Sequence, residues 1–469
     1  MKRLTYLLAF FFPLGLNAQT FIENGVYYSI KLWTDNVGVA SSNSTSFYKG
    51  DIVIPETVEY DNKTYTVVSI DDGAFTGSEG LTSVTLPQTI TTIGDRSFSG
   101  CLGLTNFVIP GNVTSIGYDA FYGSKNIKEI TIPKSVTIIC SRAFSGLEKL
   151  VLEDGEEPLK LVTLYNINDN TPFHICPLES VYLGRNLEYT SEYSPFRDNS
   201  KLMSLIIGEG ATEIGSYLFK DCTGLKELTL SSSLKNINRY AFWGCTGLLE
   251  ITIPATLDHL GMNVFYETNI KKVVIEDGSR PISFDSFLHS PFTSCPVENI
   301  YLGRNVTCNM FATECPFSKS KEVTIGNEVT TINDNLFKKC EGLSKVVIGA
   351  NVNTIGSNAF GNCIDLNNVL CNVINVPTTS TDAFNGSSIN EATLSVPKES
   401  IEQYRTIKPW SDFGKIVSLD GGSTIRMIRY EDKNNDYYSL KGQTITTPHR
   451  GIVIVKNSNG ITKKTIVKE

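Results

Sequence analysis

The sequence predicts a β-rich solenoid of about 14 coils, each about 23 residues long, stacked through a parallel β ladder. A β cap precedes the array and a small β unit follows it. Three observations carry this. Phe75, Phe98, Phe121 and Phe144 lie 23 residues apart, as do Ile70, Ile93, Ile116 and Ile139, and Leu81, Leu104, Ile127 and Leu150. Fourteen phenylalanines fit one recurring slot: Phe75, Phe98, Phe121, Phe144, Phe173, Phe196, Phe219, Phe242, Phe265, Phe292, Phe317, Phe337, Phe360 and Phe384. Before Pro87, Pro110 and Pro133 the apolar residues alternate with period two, the pattern of a strand with one buried face.

A single coil follows from elementary physics. With Leu81 as its start, apolar residues fall at Val84, Leu86, Ile90, Ile93, Phe98 and Cys101. Proline ends the strand because it has no N–H to give the ladder. One strand cannot bury its own apolar side, so copies stack at about 4.8 Å and share one continuous core.

The phrase I-G-x-x-A-F-x-x-C-x-x-L-x-x-V-x-I-P stands here as Ile116-Gly117 with Ala120-Phe121, Ile130 and Ile132-Pro133. It stands again as Ala241-Phe242-Trp243-Gly244-Cys245 with Leu248, Ile251 and Ile253-Pro254. This pattern resembles the BspA-type leucine-rich repeat of bacterial surface and secreted proteins, over roughly residues 50 to 415. The resemblance implies a leucine-rich-repeat array and contact with host proteins or other cells.

Taken in order, residues 1–18 read as a secretory signal: Lys2 and Arg3, an apolar run from Leu4 to Leu16, and Ala18 before the cut. Residues 19–69 alternate as strands and form an N-terminal cap over the first open core layer. The solenoid proper runs from 70 to 396. Within it the Phe interval departs from 23 to 29 at Phe173, 27 at Phe292, 25 at Phe317, 20 at Phe337 and 24 at Phe384. The first two departures mark a larger duplication. Leu152-Glu153-Asp154-Gly155 recurs as Ile275-Glu276-Asp277-Gly278. Cys176-Pro177 through Tyr182-Leu183-Gly184-Arg185-Asn186 recurs as Cys295-Pro296 through Tyr301-Leu302-Gly303-Arg304-Asn305. The segments 156–171 and 279–290 read as the looped-out parts of this block of about 120 residues, and as candidate contact surfaces. Residues 397–420, with helical spacing at Ile401 and Tyr404 and then Trp410 and Phe413, form a C-terminal cap similar to the family's own. Residues 421–469 read as short strands of a small β unit. They resemble the sorting tail of the Bacteroidota system that exports proteins across the outer membrane, which makes them a possible sorting signal.

Composition narrows the function classes. The net charge is −8, against the basic face that nucleic acid requires. After the signal no apolar run is long enough to span a membrane, so no transmembrane segment is expected in the mature chain. Cys101, Cys222, Cys245, Cys340 and Cys363 share one place in the coil and read as buried thiols in a small apolar slot. Cys295, Cys308 and Cys315 fall outside that series and can pair locally. The four histidines hold no common repeat position, and no nucleophile elbow, zincin helix or phosphate loop occurs.

The expectation is therefore a non-catalytic, exported protein, secreted or at the outer cell surface, without cofactor or metal. It presents a rigid surface for adhesion to host or other-cell proteins. The alternative is polysaccharide capture or scaffolding for nutrient acquisition, and a glycan is a possible partner. The outward strand positions read as polar, rich in Thr, without a Trp or Tyr stripe to stack sugar rings. The duplicated residues Tyr182 with Arg185, and Tyr301 with Arg304, are the candidate binding positions, because one ligand can use them twice. A repeated turn that pins each arginine against a neighbouring coil explains them as well.

Overall fold

The computed structural model describes residues 19–42, 47–163, 171–285, 289–308 and 316–419, with the backbone of four further strands between 436 and 467. The expected signal, residues 1–18, lies outside the described residues. Two compact units emerge, Met1–Ser418 and Leu419–Glu469.

In the first unit each regular coil carries two strands, as in Glu129–Ile132 and Ile138–Ile139. Both pair in parallel with the next coil, so the solenoid has two ladders. In the first ladder Glu129 faces Lys149, then Ser180, Ser204 and Glu227. A further run of eight strands extends from Glu250–Ile253 to Lys415–Ser418. Strand residues alternate exposed and buried, as in Glu129–Ile132, because successive side chains point to opposite faces. The ladder is broken at residues 104–109. There Phe107 stands where other coils carry Val, Ile or Leu, its ring edge-on to Phe98 and Phe121 at 4.8 Å each.

The fourteen phenylalanines form one unbroken column, with successive ring centroids 5.0–5.8 Å apart. Each cap ends it with an aromatic ring. Tyr48 closes on Phe75 at 4.8 Å, and Trp410 and Phe413 close on Phe384 at 5.5 and 5.4 Å. Most of the turns that carry a Phe are built on left-handed residues. The position two before Phe has positive φ in Gly73, Arg96, Asp119, Arg142, Tyr217, Tyr240, Asn263, Asn335 and Asn358. The position two after has it in Gly77, Gly100, Gly123, Asp198, Asp221, Gly244, Glu267, Ser294, Lys339, Asn362 and Gly386. The second position is mostly Gly, Asn or Asp, the residues that tolerate this region.

Four expectations change. The cysteine slot is buried but not simply apolar. Cys101, Cys222, Cys245 and Cys363 each place Sγ 3.1–3.2 Å from the carbonyl oxygen of the preceding coil's Phe. Ser124 Oγ makes the same bond to Phe98 at 2.6 Å. The slot therefore holds a small donor for a buried carbonyl; those of Phe75, Phe219 and Phe265 also accept a backbone N–H, at 3.1–3.3 Å. Cys295 belongs to this series too, donating to Phe265 O at 2.8 Å. The insertion before Phe292 hid its register. No disulfide forms among the described residues, and Cys315 lies outside them. Leu150 pairs with Ile130, not Ile127, so that coil is three residues short after Phe144. Parity decides this, since Leu150 and Leu152 must point inward as Ile130 and Ile132 do.

The segments 156–171 and 279–290 are not wholly looped out either. Leu159–Leu161 and Ile282–Phe284 are strands of the second ladder, with Leu159, Leu161, Ile282 and Phe284 buried. Both pair with a strand on each side. Extra residues fall instead between the second strand and the Phe turn, around positions 164–170 and 286–288, which lie outside the described residues.

At the N-terminus Thr20–Glu23, Val26–Ile30 and Asn36–Val39 form an antiparallel meander. Asn36–Val39 then pairs in parallel with Lys63–Ile70, whose end begins the second ladder. Gly50–Val53 supplies the strand before Leu81–Thr85. At the other end Lys415–Ser418 adds a last strand to the first ladder. The C-terminal cap also satisfies the terminal polar groups. Tyr404 Oη donates to Val373 O at 2.9 Å, Ser400 Oγ to Ile374 O at 2.5 Å, and Trp410 Nε1 to Thr379 Oγ1 at 3.0 Å. The second unit is a four-stranded antiparallel sheet of Asp436–Tyr438, Thr444–Ile445, Gly451–Lys456 and Thr462–Val467.

Candidate functional site

The duplicated phrases form a tie across four consecutive coils. Arg185 is fully buried. Its Nη1 donates to Val136 O at 2.7 Å and Lys134 O at 3.0 Å, and its Nη2 to Pro133 O at 2.9 Å, two coils back. Glu153 Oε2 accepts from Lys134 N at 3.0 Å in that same turn. Tyr182 Oη donates to Asp154 Oδ2 at 2.8 Å, and Asp154 also accepts from Gly210 N at 3.2 Å in the coil beyond. Asn186 Oδ1 accepts from the N–H of Thr212 and of Glu213, at 2.9 and 3.1 Å.

The copy repeats the design. Arg304, also fully buried, donates to Pro254 O and Ala255 O at 2.8 Å each. Glu276 Oε2 accepts from Ala255 N at 3.0 Å, Tyr301 Oη donates to Asp277 Oδ1 at 2.6 Å, and Asn305 Oδ1 accepts from Thr330 N at 2.9 Å. Burial pulls the pKa of both guanidinium groups down from its ordinary value, though arginine stays charged in proteins. Burial, with the neighbouring carboxylate adding to it, pushes both tyrosine hydroxyls up. Two glycines leave room for the tyrosine–aspartate pairs. A Cβ on Gly208 would lie 2.5 Å from both Asp154 Oδ1 and Tyr182 Oη, and one on Gly326 would lie 2.7 Å from Tyr301 Oη.

The four sequence candidates thus separate by depth. The arginines lie inside the wall with their Nη donors held by backbone carbonyls. Tyr182 and Tyr301 stand partly exposed on the outward face of the first ladder. Tyr182 sits between Val151 and Ile206, and Tyr301 between Val274 and Thr324. The neighbouring outward row carries cross-strand ion pairs: Lys149–Glu129 at 3.1 Å, Lys272–Glu250 at 3.6 Å and Lys345–Glu322 at 3.8 Å. Such exposed pairs contribute about 0–1 kcal/mol each. Their effect is to hold a fixed pattern of charge.

A second cluster, which the sequence reading missed, lies on the Phe turns of three coils. Tyr217 and Tyr240 stack at 4.9 Å, Trp243 leans on Tyr240 at 5.3 Å, and Tyr266 meets Trp243 edge-on at 5.7 Å. Lys220 Nζ lies 4.3 Å above the Trp243 ring, and the Arg239 guanidinium 6.0 Å above Tyr217. Trp243 Nε1 donates to Glu267 Oε2 at 3.1 Å. The signal was present as aromatic residues two before Phe219 and Phe242 and one after Phe242 and Phe265. These positions lie on the turn, outside the strand alternation that defines the repeat.

Among the described residues no group of three or more His, Cys, Asp or Glu side chains is placed to hold a metal. No helix among them is long and apolar enough to cross a membrane.

A scan against family models matches the BspA type leucine rich repeat region in six copies, over residues 51–155, 166–295 and 289–405. The chain belongs to the BspA-type leucine-rich repeat family. A BspA-type array is a scaffold that typically has no enzymatic role, with its function set by surface detail. Among solved structures it is similar to a leucine-rich repeat protein from Bacteroides ovatus, at 22% identity over 85% of this chain and 99% of that one, TM-score 0.38. A leucine rich cell surface protein from Faecalibacterium prausnitzii aligns at 18% identity over 86% and 95%, TM-score 0.28. The pneumococcal vaccine antigen PcpA aligns at 16% identity over 86% and 99%, TM-score 0.22. No curated protein matches.

Proposed function

We propose that this protein is an exported binding protein, secreted or held at the outer cell surface, that adheres through its rigid repeat surface to host or other-cell proteins without catalysing a reaction. The observation that supports this most directly is the four-coil tie and its copy. Each holds a partly exposed Tyr–Asp pair at a fixed place on the outward face of the first ladder, flanked by ordered Lys–Glu pairs. A surface fixed before contact loses little entropy on binding. Tyr182 and Tyr301 are its contact residues, and Arg185 and Arg304 hold the coils that position them. In the same reading, residues 1–18 direct export and residues 421–469 direct passage to the surface.

The test is binding of residues 19–469 to immobilised extracellular-matrix proteins and to a polysaccharide array, with a heat-unfolded sample as control. Saturable binding to a protein, weakened by Tyr182→Ala with Tyr301→Ala, is the expected result. Binding to polysaccharide alone replaces adhesion with glycan capture. Unchanged surface display after deletion of residues 424–469 removes the sorting role of the tail.

A further inference from the structure

We propose that the stacked cluster of Tyr217, Tyr240, Trp243 and Tyr266, with Arg239, is a docking site for an acidic segment of a partner protein. The inference rests on the reading of this chain as a protein-binding scaffold and names a place and a ligand chemistry for it.

The first observation is a choice of residue that folding does not favour. The position two before Phe is left-handed in nine coils, and besides Tyr217 and Tyr240 it is mostly a small residue there: Gly73, Asp119, Asn263, Asn335 or Asn358. Short polar residues and glycine adopt this conformation with little strain, whereas a bulky side chain there is an outlier. Tyr217 and Tyr240 nevertheless adopt it, at φ 61° and 59°. Strain of this kind is retained where the side chain is used. Two arginines, Arg96 and Arg142, share the position, but each lies within 3.8 Å of a carboxylate oxygen of Asp119. The tyrosines have no such local reason.

The second observation is how the rings are held. Tyr217 and Tyr240 cover each other's faces, Trp243 carries Lys220 on its face, and Arg239 covers Tyr217. With their faces occupied, the rings offer edges and hydroxyls, which suits a peptide more than the flat face of a sugar ring. The order also removes side-chain entropy in advance. Tyr, Trp and Arg packed in this way are the residue types that dominate protein-binding hot spots.

The third observation is charge. Lys220 is paired with Asp221, and Glu267 is held by the indole N–H. Arg239 is exposed and has no carboxylate within ion-pair distance among the described residues. Glu267 keeps its charge at the Tyr266 end, so the unpaired cation is local to the Tyr217 end, where Arg239 stands over the ring. Its complement is a carboxylate on a chain that brings backbone carbonyls to the hydroxyls.

The experiment titrates residues 19–469 with a fluorescent twelve-residue peptide rich in Glu and Asp. The same peptide with Gln and Asn, and polygalacturonate, serve as comparison probes. Tyr217→Asn combined with Tyr240→Asn is the main variant. It restores the residue the turn favours, so its melting temperature is expected to stay level or rise. Arg239→Gln is the second. Saturable binding of the acidic peptide, weakened at least about tenfold by either variant and absent for the amide peptide, is the expected result. Equal affinity for the amide peptide, unchanged affinity in both variants, or binding of polygalacturonate without the peptide overturns the proposal. If the acidic peptide does not bind while the chain still adheres to immobilised matrix protein, this site falls and the broader reading stands. If neither binds, both fall.

Discussion

Replacing Arg185 with alanine removes three donors at once from the carbonyls of Pro133, Lys134 and Val136. A hydrogen bond to a charged group contributes about 1.5–3 kcal/mol, so three give roughly 5–9 kcal/mol before offsets. Removing a buried charge also relieves a desolvation cost of several kcal/mol. Against that, three carbonyls lose a buried partner. The expected net loss is about 3–5 kcal/mol, the range for breaking a buried charge interaction. Arg304, with two such bonds, is expected to lose about 2–3 kcal/mol on the same reasoning. Arg185→Lys keeps the charge but not the planar fork, and recovers little of the loss. The assay is urea unfolding of residues 19–469 followed by far-ultraviolet circular dichroism. Amide exchange around Val136 shows whether the opening is local. A loss below about 1 kcal/mol for Arg185→Ala, or nearly full recovery by Arg185→Lys, would refute the idea that these side chains hold the wall together.

Phe219→Ala opens the aromatic column between Phe196 and Phe242, which lie 5.3 and 5.6 Å away. It is expected to cost about 3–5 kcal/mol in the same unfolding assay, and a cost under about 1 kcal/mol would contradict the packing argument. Cys245→Ser keeps a donor for Phe219 O and is expected to cost less than Cys245→Ala, which leaves that carbonyl only the 3.3 Å bond from Cys222 N; equal costs would undo the donor account of the slot. Burial pushes the Cys101 and Cys176 thiols up to about 12, and Cys295 and Cys371 to about 11, from the usual 9. Raised native values mean that the stability they contribute is complete below pH 9 and is lost as pH rises from 9 towards 12. Urea midpoints flat across that window would contradict this. Gly208→Ala drives a methyl group into both Tyr182 Oη and Asp154 Oδ1 and is expected to cost about 1–3 kcal/mol. A crystal structure showing the Tyr–Asp bond intact at 2.8 Å would contradict it.

The solenoid was legible because its core obeys one rule of spacing. Phe, the strand alternation and the proline stop each report a contact with the identical position in the next coil, so period translates directly into packing. What escaped the reading was contact between unlike positions. Arg185 reaches a coil two turns back, a relation that no single period displays, although the duplicated phrase hinted at it. Cys295 hid because an insertion shifted its distance from the preceding Phe, while its distance from its own Phe292 did not change. The strands Leu159–Leu161 and Ile282–Phe284 were lost because length was assigned to the wrong side of the second ladder. The Tyr217–Trp243 cluster is legible only once the Phe turn is recognised as a surface with its own repeat.

The reach of the buried arginines sets a rule for how such a chain can lengthen. A regular coil touches only its neighbours, so one can be gained or lost with little effect at a distance. The coils from Pro133 to Thr212 are different, because Arg185, Asp154 and Asn186 each take a partner from another coil. A copying event that separated them would strand a guanidinium in an apolar wall. Only a length that carries donors and acceptors together gives a chain that folds. The second set, from Pro254 to Thr331, keeps the arginine–carbonyl, tyrosine–aspartate and asparagine–backbone bonds. The heritable unit in this stretch is therefore the whole tied group of coils, and single turns within it are no longer interchangeable parts.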